Sequence, residues 1–433
     1  MPTQQFSKFG FKPELISVLN RLNICDPTKI QELTIPVLVD NQNDIVALAK
    51  TGTGKTLAYC LPILQKIKPE IKEIQALILA PTRELGQQIL TNIEKFSTAL
   101  LNIKTIGIFG GLPIKLQIEM LQSCHHIVVA TPGRLIDLLS KNALSLANCK
   151  FLILDEADEM ATAHAENLEK IMESLPKTSR KWLFSATMPG VVKQLVQNFM
   201  QKNAVTITAD MEIVGNAQIN HQYVLVDAIE KLDILMHFLN SREGERGIIF
   251  CKTKAAVNKL GKNLAINKFK VGALHGSLTQ PIRDRIMDQF RAGNIDLLVA
   301  TDLASRGLDI PEVRFVVNYH FPDVPETFVH RTGRTARAGL NGFSLTILQP
   351  EEQAEIKIFE KALGLKFANY EKPKQQNLTD NNAILWAKQI FKAKPNHDLD
   401  LELKSKIKTI FHHLTKDELI EKLLGNFYLN QKK

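Results

Sequence analysis

Residues 49–56 read Ala49-Lys50-Thr51-Gly52-Thr53-Gly54-Lys55-Thr56. A turn rich in glycine lets backbone N–H groups converge on phosphate oxygens without interference from Cβ atoms. Lys55 is then placed to reach the β- and γ-phosphates of a nucleotide, and the Thr56 hydroxyl can ligate Mg²⁺. Gly52, Thr53 and Gly54 form the cradle itself. Further along the chain, Asp155-Glu156-Ala157-Asp158 follows the apolar run Phe151 to Leu154. A carboxylate at the end of a strand, such as Asp155, can hold Mg²⁺, often through water. Glu156 is then positioned to orient or deprotonate an attacking water. A phosphate cradle and an acidic strand end in one chain imply hydrolysis of a nucleoside triphosphate.

Such groups must be held by a rigid frame, and the hydropathy pattern supplies one. Short apolar runs (Ile45 to Ala49, Ala76 to Ala80, Ile127 to Ala130, Phe151 to Leu154 and Leu183-Phe184) alternate with amphipathic stretches. This is the pattern of buried parallel strands joined by helices. It repeats at Gly247 to Cys251, Val271 to Leu274, Ile295 to Ala300, Phe315 to Asn318 and Phe343 to Leu348. Two α/β domains in tandem are expected, with Ala209 to Gln218 as a short linker. Beyond about Asn369 the style changes. Pro373 to Asn377 is polar, and three helices follow. Ile384, Ala387 and Phe391 mark the first, and Leu403, Ile407 and Ile410 the second. The third is announced by a capping box, Thr415 with Glu418, and by the staple pair Leu414 and Leu419.

Length and composition bound the rest. A chain of 433 residues, 45% of them hydrophobic, holds two or three domains with ordinary cores. The apolar runs are too short to cross a bilayer, and the N-terminus lacks a basic stretch followed by an apolar one, so no membrane association or secretory leader is expected. The five cysteines are scattered without paired spacing, which argues against a zinc site and for a reducing, cytoplasmic setting. The formal charge of +9 suits a polyanionic partner, and is equally compatible with a merely soluble surface.

The motifs and their order resemble those of the DEAD-box RNA helicases from Phe6 to Leu348. The resemblance implies two RecA-like domains, each a mostly parallel sheet flanked by helices, at residues 1–208 and 218–368. They are joined by a linker at 209–217 and followed by a small helical C-terminal extension at 369–433. Pro27-Thr28-Lys29-Ile30-Gln31 resembles the adenine-reading segment, where the Gln31 amide can both donate to and accept from the N6/N7 edge. Phe6, seventeen positions before Asn23, is expected to stack on the base. Three turns, Pro81-Thr82-Arg83-Glu84-Leu85, Gly110-Gly111 and Thr131-Pro132-Gly133-Arg134, resemble the RNA-contacting segments of the first domain. They are strand-to-helix turns with hydroxyls, arginine and free N–H groups that suit phosphates and sugars. Ser185-Ala186-Thr187 resembles the segment coupling hydrolysis to unwinding through hydrogen bonds to the acidic strand end, which includes Asp158. In the second domain Gly276, Gln280, Arg283 and Thr301 match RNA-binding positions, and Asp309 matches a group near the ribose of ATP. His330-Arg331-Thr332-Gly333-Arg334-Thr335-Ala336-Arg337 resembles the arginine-finger segment, with Arg334 and Arg337 as the fingers and His330 among the coupling residues. As isolated residues, His275 and His330 read as structural histidines. The sequence departs from the family pattern at Asn23, where glycine is usual, at Gly86 and Ser305, where alanine is usual, and at Ala161-Thr162-Ala163-His164-Ala165, which lacks a Gly-Phe pair.

The resemblance implies ATP-dependent, local and non-processive remodelling of RNA, with Mg²⁺ as the metal and RNA bound through its backbone without sequence readout. The rival readings are an ATP-gated RNA clamp that unwinds little, a DNA helicase of a related superfamily, and a binding protein with dead catalysis. Intact Lys55, Glu156, Arg334 and Arg337 argue against the last. The C-terminal stripe fits either a cap packed on the second domain or a surface for a homodimer or protein partner.

Overall fold

The computed structural model describes residues 4–40, 43–49, 52–209, 219–302, 313–336, 341–372, 383, 386–387, 390 and 400–430. Residues 210–217 of the expected linker 209–217 and the polar stretch Pro373 to Asn377 lie outside the described residues. The chain divides into two compact units. One comprises Met1–Leu225 with Gly244–Ala368, and the other Val226–Glu243 with Asn369–Lys433.

The larger unit holds two seven-stranded sheets. The first is built from β1 (Ile45–Leu48), β2 (Ala76–Leu79), β3 (Thr105–Ile108), β4 (Ile127–Ala130), β5 (Phe151–Asp155), β6 (Arg180–Ser185) and β7 (Val205–Thr208), in the order β3-β4-β2-β5-β6-β1-β7. Its pairings are parallel. The second contains β8 (Ile219–Leu225), β9 (Gly247–Phe250), β10 (Val271–Leu274), β11 (Leu297–Ala300), β12 (Phe315–Asn318), β13 (Gly342–Leu348) and a two-residue edge strand, β14 (Ala368–Asn369), in the order β10-β11-β9-β12-β13-β8-β14. The central strands β1, β2, β4, β5, β9, β11 and β12 are almost wholly buried, as apolar runs covered by helices on both faces should be.

Register sets the site. Leu48 of β1 stands opposite Ser185 of β6, and Phe184 of β6 opposite Asp155 of β5. The carboxyl ends of these three strands therefore lie side by side, where open parallel sheets bind ligands. In the second sheet Leu274, Ala300 and Phe250 are aligned across β10, β11 and β9, and Asn318 of β12 follows beside Phe250.

Two departures from the family pattern have a structural account. Asn23 has φ +55°, a left-handed conformation that asparagine tolerates better than other non-glycine residues. A Cβ on Gly86, inside the helix Arg83–Ser97, would collide with the ring of buried Phe109. Glycine inside a helix ordinarily costs about 1 kcal/mol relative to alanine. Here the sign reverses: Gly86→Ala is expected to destabilise by about 1–3 kcal/mol through overpacking. Thermal unfolding of the variant beside Gly86→Ala/Phe109→Leu checks this, since the smaller partner should restore the midpoint.

His221 of β8 is buried between Phe328 and Phe367, with ring centroids at 5.4 and 6.0 Å. Neither ring nitrogen has a hydrogen-bond partner. Burial pulls its pKa down to about 4. The unfolded chain therefore takes up this proton first. The stability it allows above pH 6.5 is lost as pH falls toward 4, by up to ~3 kcal/mol. His221→Leu should unfold with a shallower dependence on pH across that window, and parallel melting curves for the two proteins would refute it.

In the smaller unit the capping box closes as the sequence suggests. Thr415 N–H donates to Glu418 Oε2 at 2.8 Å, and Glu418 N–H to Thr415 Oγ1 at 3.2 Å, ahead of the helix Lys416–Asn430. These bonds hold the Glu418 carboxyl below its usual range. Trp386 packs on Phe427 at 5.1 Å. Leu403, Ile407 and Ile410 of the helix Leu401–Phe411 remain exposed. Ile384 and Phe391 lie outside the described residues. No described helix is long and apolar enough to cross a membrane.

Candidate active site

The phosphate loop leaves β1 and opens the helix Lys55–Lys66. Gly52 and Gly54 have φ of +80° and +90°. Gly54 must also lack a side chain, because a Cβ there would run into the Gln31 amide. Lys55 is buried, and its Nζ donates to the Ala49 carbonyl at 2.9 Å. Thr53 and Thr56 flank it in the same turn, and Lys50 and Thr51 lie outside the described residues. Gln31 is buried beneath the loop, donating through Nε2 to the Gly54 carbonyl at 3.0 Å and accepting from Thr28 N–H at 2.9 Å. It thereby ties the segment expected to read adenine to the phosphate loop and keeps one N–H and one lone pair of its amide. Phe6, expected on the base, has no exposed surface and packs edge-on against Phe9 at 6.0 Å. Stacking on adenine requires uncovering it.

Asp155 ends β5 with both carboxylate oxygens engaged. Oδ2 accepts from the Tyr59 hydroxyl at 2.7 Å and Oδ1 from Glu156 N–H at 3.0 Å. Burial pushes its pKa up to about 6; Lys55 pulls it back, Glu156 adds to the rise, and the Tyr59 and Glu156 hydrogen bonds oppose it. Glu156 adopts a left-handed conformation, φ +53°, at the start of the helix Ala157–Ala163. Its Oε2 is buried without a hydrogen-bond partner. Left-handed backbone on a non-glycine residue and an orphaned carboxylate oxygen are both costly, and costs of this kind cluster at working sites. The hard oxygens of Thr56 and Asp155 beside that orphaned Oε2 suit Mg²⁺, which takes few protein ligands and completes its shell with phosphate and water. Among the described residues no three His, Cys, Asp or Glu side chains form a metal cluster of their own.

One turn on, Asp158 gathers the residues expected to couple hydrolysis to unwinding. Its Oδ2 accepts from Thr187 N–H at 2.9 Å and from the Thr187 hydroxyl at 2.6 Å. Its backbone N–H donates to Ser185 Oγ at 3.3 Å, and Ser185 Oγ donates to the Thr187 carbonyl at 2.7 Å. From the second sheet's half, His330 on the helix Pro325–Thr332 brings Nε2 to 3.5 Å from Asp158 and Nδ1 to 3.6 Å from Glu159. Burial alone would raise the Asp158 carboxyl, but the hydrogen bond and charge of His330, with Thr187, outweigh it and hold it well below its usual range. Burial likewise opposes the charge on His330, and Asp158 and Glu159 overcome it, so its pKa is raised. The two carboxylates thus favour the charged form of this histidine, beyond the structural role its sequence suggests in isolation.

The RNA-matching residues follow the carboxyl ends of other strands, β2, β3 and β4 in the first sheet and β10 and β11 in the second. Pro81 and Thr82 follow β2, where Thr82 caps the helix Arg83–Ser97. Arg83 donates to the Gly110 carbonyl at 2.8 Å. Gly111, at φ +93°, leaves room that a Cβ would take from the Arg83 guanidinium. Thr131 precedes the helix Pro132–Leu139, and Gly133 has open space around its Cα. Arg134 donates to the Leu112 carbonyl at 2.9 Å and to Gln117 Oε1 at 2.8 Å. Gly276 is exposed in the turn after β10, and Thr301 follows β11. Arg283 pairs with Glu84 at 2.7 Å and Gln280 approaches Glu84 at 3.4 Å, so the structure brings RNA-matching segments of the two sheets together. His275 is hydrogen-bonded to Asn258 at 3.0 Å, and burial, with Lys254 and Arg283 adding, lowers its pKa.

Sequence reading overlooked three residues here. Tyr59 joins the phosphate-loop helix to Asp155, and Glu159 supplies the second carboxylate for His330. Arg331 grips Asp302 through Nε at 2.5 Å and Nη2 at 2.8 Å, and donates to Asn318 Oδ1 and the His320 carbonyl. It anchors the turn that carries buried Arg334. The only available signal was position, since Tyr59 lies one turn beyond Thr56 and Arg331 sits inside the finger segment. Asp309 and Arg337 lie outside the described residues.

Comparison with known proteins places these groups in a family. The DEAD/DEAH box helicase model matches residues 28–195, the helicase conserved C-terminal domain model matches 230–339, and a helical domain of probable ATP-dependent RNA helicases matches 379–426. The DEAD-box ATP-dependent RNA helicase CshA of Streptococcus pneumoniae is 39% identical over 373 residues, covering 85% of this chain and 71% of the relative. The chain belongs to the DEAD-box RNA helicases. CshA of Bacillus subtilis is 36% identical over 86% of this DEAD-box chain and 75% of its own. Among solved structures, S. cerevisiae Dbp5 bound to RNA and ADP BeF3 matches with a TM-score of 0.77 and 29% identity over 90% of this chain and all of its own. Mss116p bound to ssRNA and AMP-PNP matches with a TM-score of 0.77 and 28% identity over 87% of this chain and 80% of its own. The two parallel sheets are RecA-like domains, and the protein is an RNA-dependent ATPase and helicase.

Proposed function

We propose that this DEAD-box protein uses ATP as a switch for local, non-processive strand separation. The observation that carries the reading is the His330 contact with Asp158 and Glu159, which ties the second RecA-like domain to the acidic strand end of the first. Residues 1–208 and 218–368 act as the two domains, joined at 209–217, with 369–433 as an extension.

In the closed arrangement Lys55 and the loop of Gly52, Thr53 and Gly54 hold the phosphates, Gln31 reads the adenine, Asp309 meets the ribose, and Arg334 and Arg337 face the γ-phosphate. Thr56 and Asp155 would hold Mg²⁺, which supplies charge neutralisation at the phosphates. Glu156 takes the proton of the attacking water. Pro81, Thr82, Arg83, Gly110, Gly111, Thr131, Pro132, Gly133, Arg134, Gly276, Gln280, Arg283 and Thr301 follow one RNA strand along its backbone and 2′-hydroxyls, which accounts for binding without sequence readout. A bent strand gripped by both domains cannot remain in a continuous duplex. Hydrolysis removes the γ-phosphate contacts, weakens closure and frees the strand. For Phe6, burial supports packing of the N-terminal segment as its role in this state. The five free cysteines fit a cytoplasmic setting, and the exposed stripe Leu403, Ile407 and Ile410 fits a homodimer or protein partner.

ATPase and strand-displacement assays on one preparation test this. RNA should stimulate turnover where the same sequence as DNA does not, and short duplexes should separate without stepwise progress along long ones. RNA-stimulated ATPase without displacement would favour an ATP-gated clamp. Equal stimulation by DNA would overturn the RNA-specific reading.

A further inference from the structure

The phosphate-loop helix and the acidic strand end are joined by a side chain that the proposed mechanism does not use. Tyr59 is wholly buried in the helix Lys55–Lys66, and its ring packs on Phe184 of β6 at 5.1 Å. Its hydroxyl donates to Asp155 Oδ2 at 2.7 Å. Thr56 lies one turn earlier on the same helix. One hydroxyl thus ties the helix that begins with Lys55 and Thr56 to the carboxylate that would hold the metal with Thr56. A phenylalanine would fill this apolar space equally well, and a buried hydroxyl is unfavourable unless bonded. What the oxygen adds is orientation: with Glu156 N–H on Oδ1 at 3.0 Å, it fixes the Asp155 carboxylate from both sides while leaving each oxygen a lone pair.

We propose that Tyr59 is a positioning residue for the nucleotide-bound metal, its hydroxyl holding the Asp155 carboxylate of β5 in place against the phosphate-loop helix that carries Thr56. The proposal rests on the reading of Thr56 and Asp155 as the metal-holding pair. Outer hydrogen bonds of this kind commonly change metal affinity 10–100-fold.

Equilibrium binding of a fluorescent, non-hydrolysable ATP analogue, titrated with Mg²⁺ and repeated in EDTA, tests it in Tyr59→Phe, Asp155→Asn and the parent. Tyr59→Phe is expected to need ~10-fold more Mg²⁺ for half-maximal tightening, with its affinity in EDTA unchanged. Thermal melting of each variant, without nucleotide, reports folding separately. If Asp155→Asn loses the Mg²⁺ response and Tyr59→Phe keeps the parent's, the Tyr59 role is overturned and the metal reading stands. If both variants keep it, the metal reading falls as well. An equal loss of affinity with and without Mg²⁺ in Tyr59→Phe also overturns the proposal, marking the hydroxyl as a structural group.

Discussion

Glu156→Gln is expected to bind ATP and RNA as the parent does and to hydrolyse ATP about 10²–10⁴-fold more slowly, the range that a positioned general base supplies. The geometry singles out this residue. Glu156 is buried at the carboxyl end of β5, carries a left-handed backbone and keeps Oε2 without a hydrogen-bond partner, beside an Asp155 whose oxygens are both engaged. Glutamine preserves the volume and one carbonyl oxygen, so packing and the helix start should survive while proton acceptance is lost. Single-turnover hydrolysis beside nucleotide and RNA affinities separates the two effects. A variant that hydrolyses at the parent's rate would remove Glu156 from the water-activating role. One that fails to bind would point to a collapsed site.

Replacing His330 should have a comparable effect by a different route. His330→Leu leaves Asp158 and Glu159 buried against an apolar side chain, without the ring whose charged form they favour. Removing one partner of a buried ion pair costs about 3–5 kcal/mol. That cost falls on the state in which the two RecA-like domains touch, so RNA-stimulated ATPase and strand displacement should drop on the order of 10²–10³-fold. Nucleotide binding to the first domain alone should change little, because Lys55, Gln31 and Asp155 are untouched. The pH profile gives a second readout. His330 has a raised pKa, so closure is favoured below it and lost as pH rises through it. The alkaline fall in RNA-stimulated activity should be present in the parent and absent in His330→Leu. A variant with the parent's RNA stimulation would show that the contact carries no coupling.

The departures from the family pattern show how far the sequence reaches. Asn23 and Gly86 were visible as deviations, but their meaning was not. It depends on a left-handed φ in one case and on the Phe109 ring in the other. Of the strands, β3, β7, β8 and the two-residue β14 escaped the hydropathy reading because polar residues break up the apolar run, as Thr105 does in β3, Thr206 and Thr208 in β7, and Asn220, His221 and Gln222 in β8. The central strands were legible because they are buried on both faces.

By itself the sequence determined the chemistry of each turn. The phosphate loop, the acidic tetrapeptide, the Thr415 cap and the finger segment are contiguous, so their residue types and spacing already specify which groups stand together and what they can bind. It also determined the succession of strands and helices, through the period of the apolar residues. Only the tertiary structure decided which turns meet. The register of β1, β6 and β5 aligns the phosphate loop with Asp155 and Ser185, and packing sets Tyr59 on Asp155, Arg331 on Asp302 and His330 between Asp158 and Glu159. It also decided ionisation. Burial strengthens charge interactions and penalises lone charges, so the same histidine type is protonated readily at His330, between two carboxylates, and resists protonation at His221, among aromatic rings.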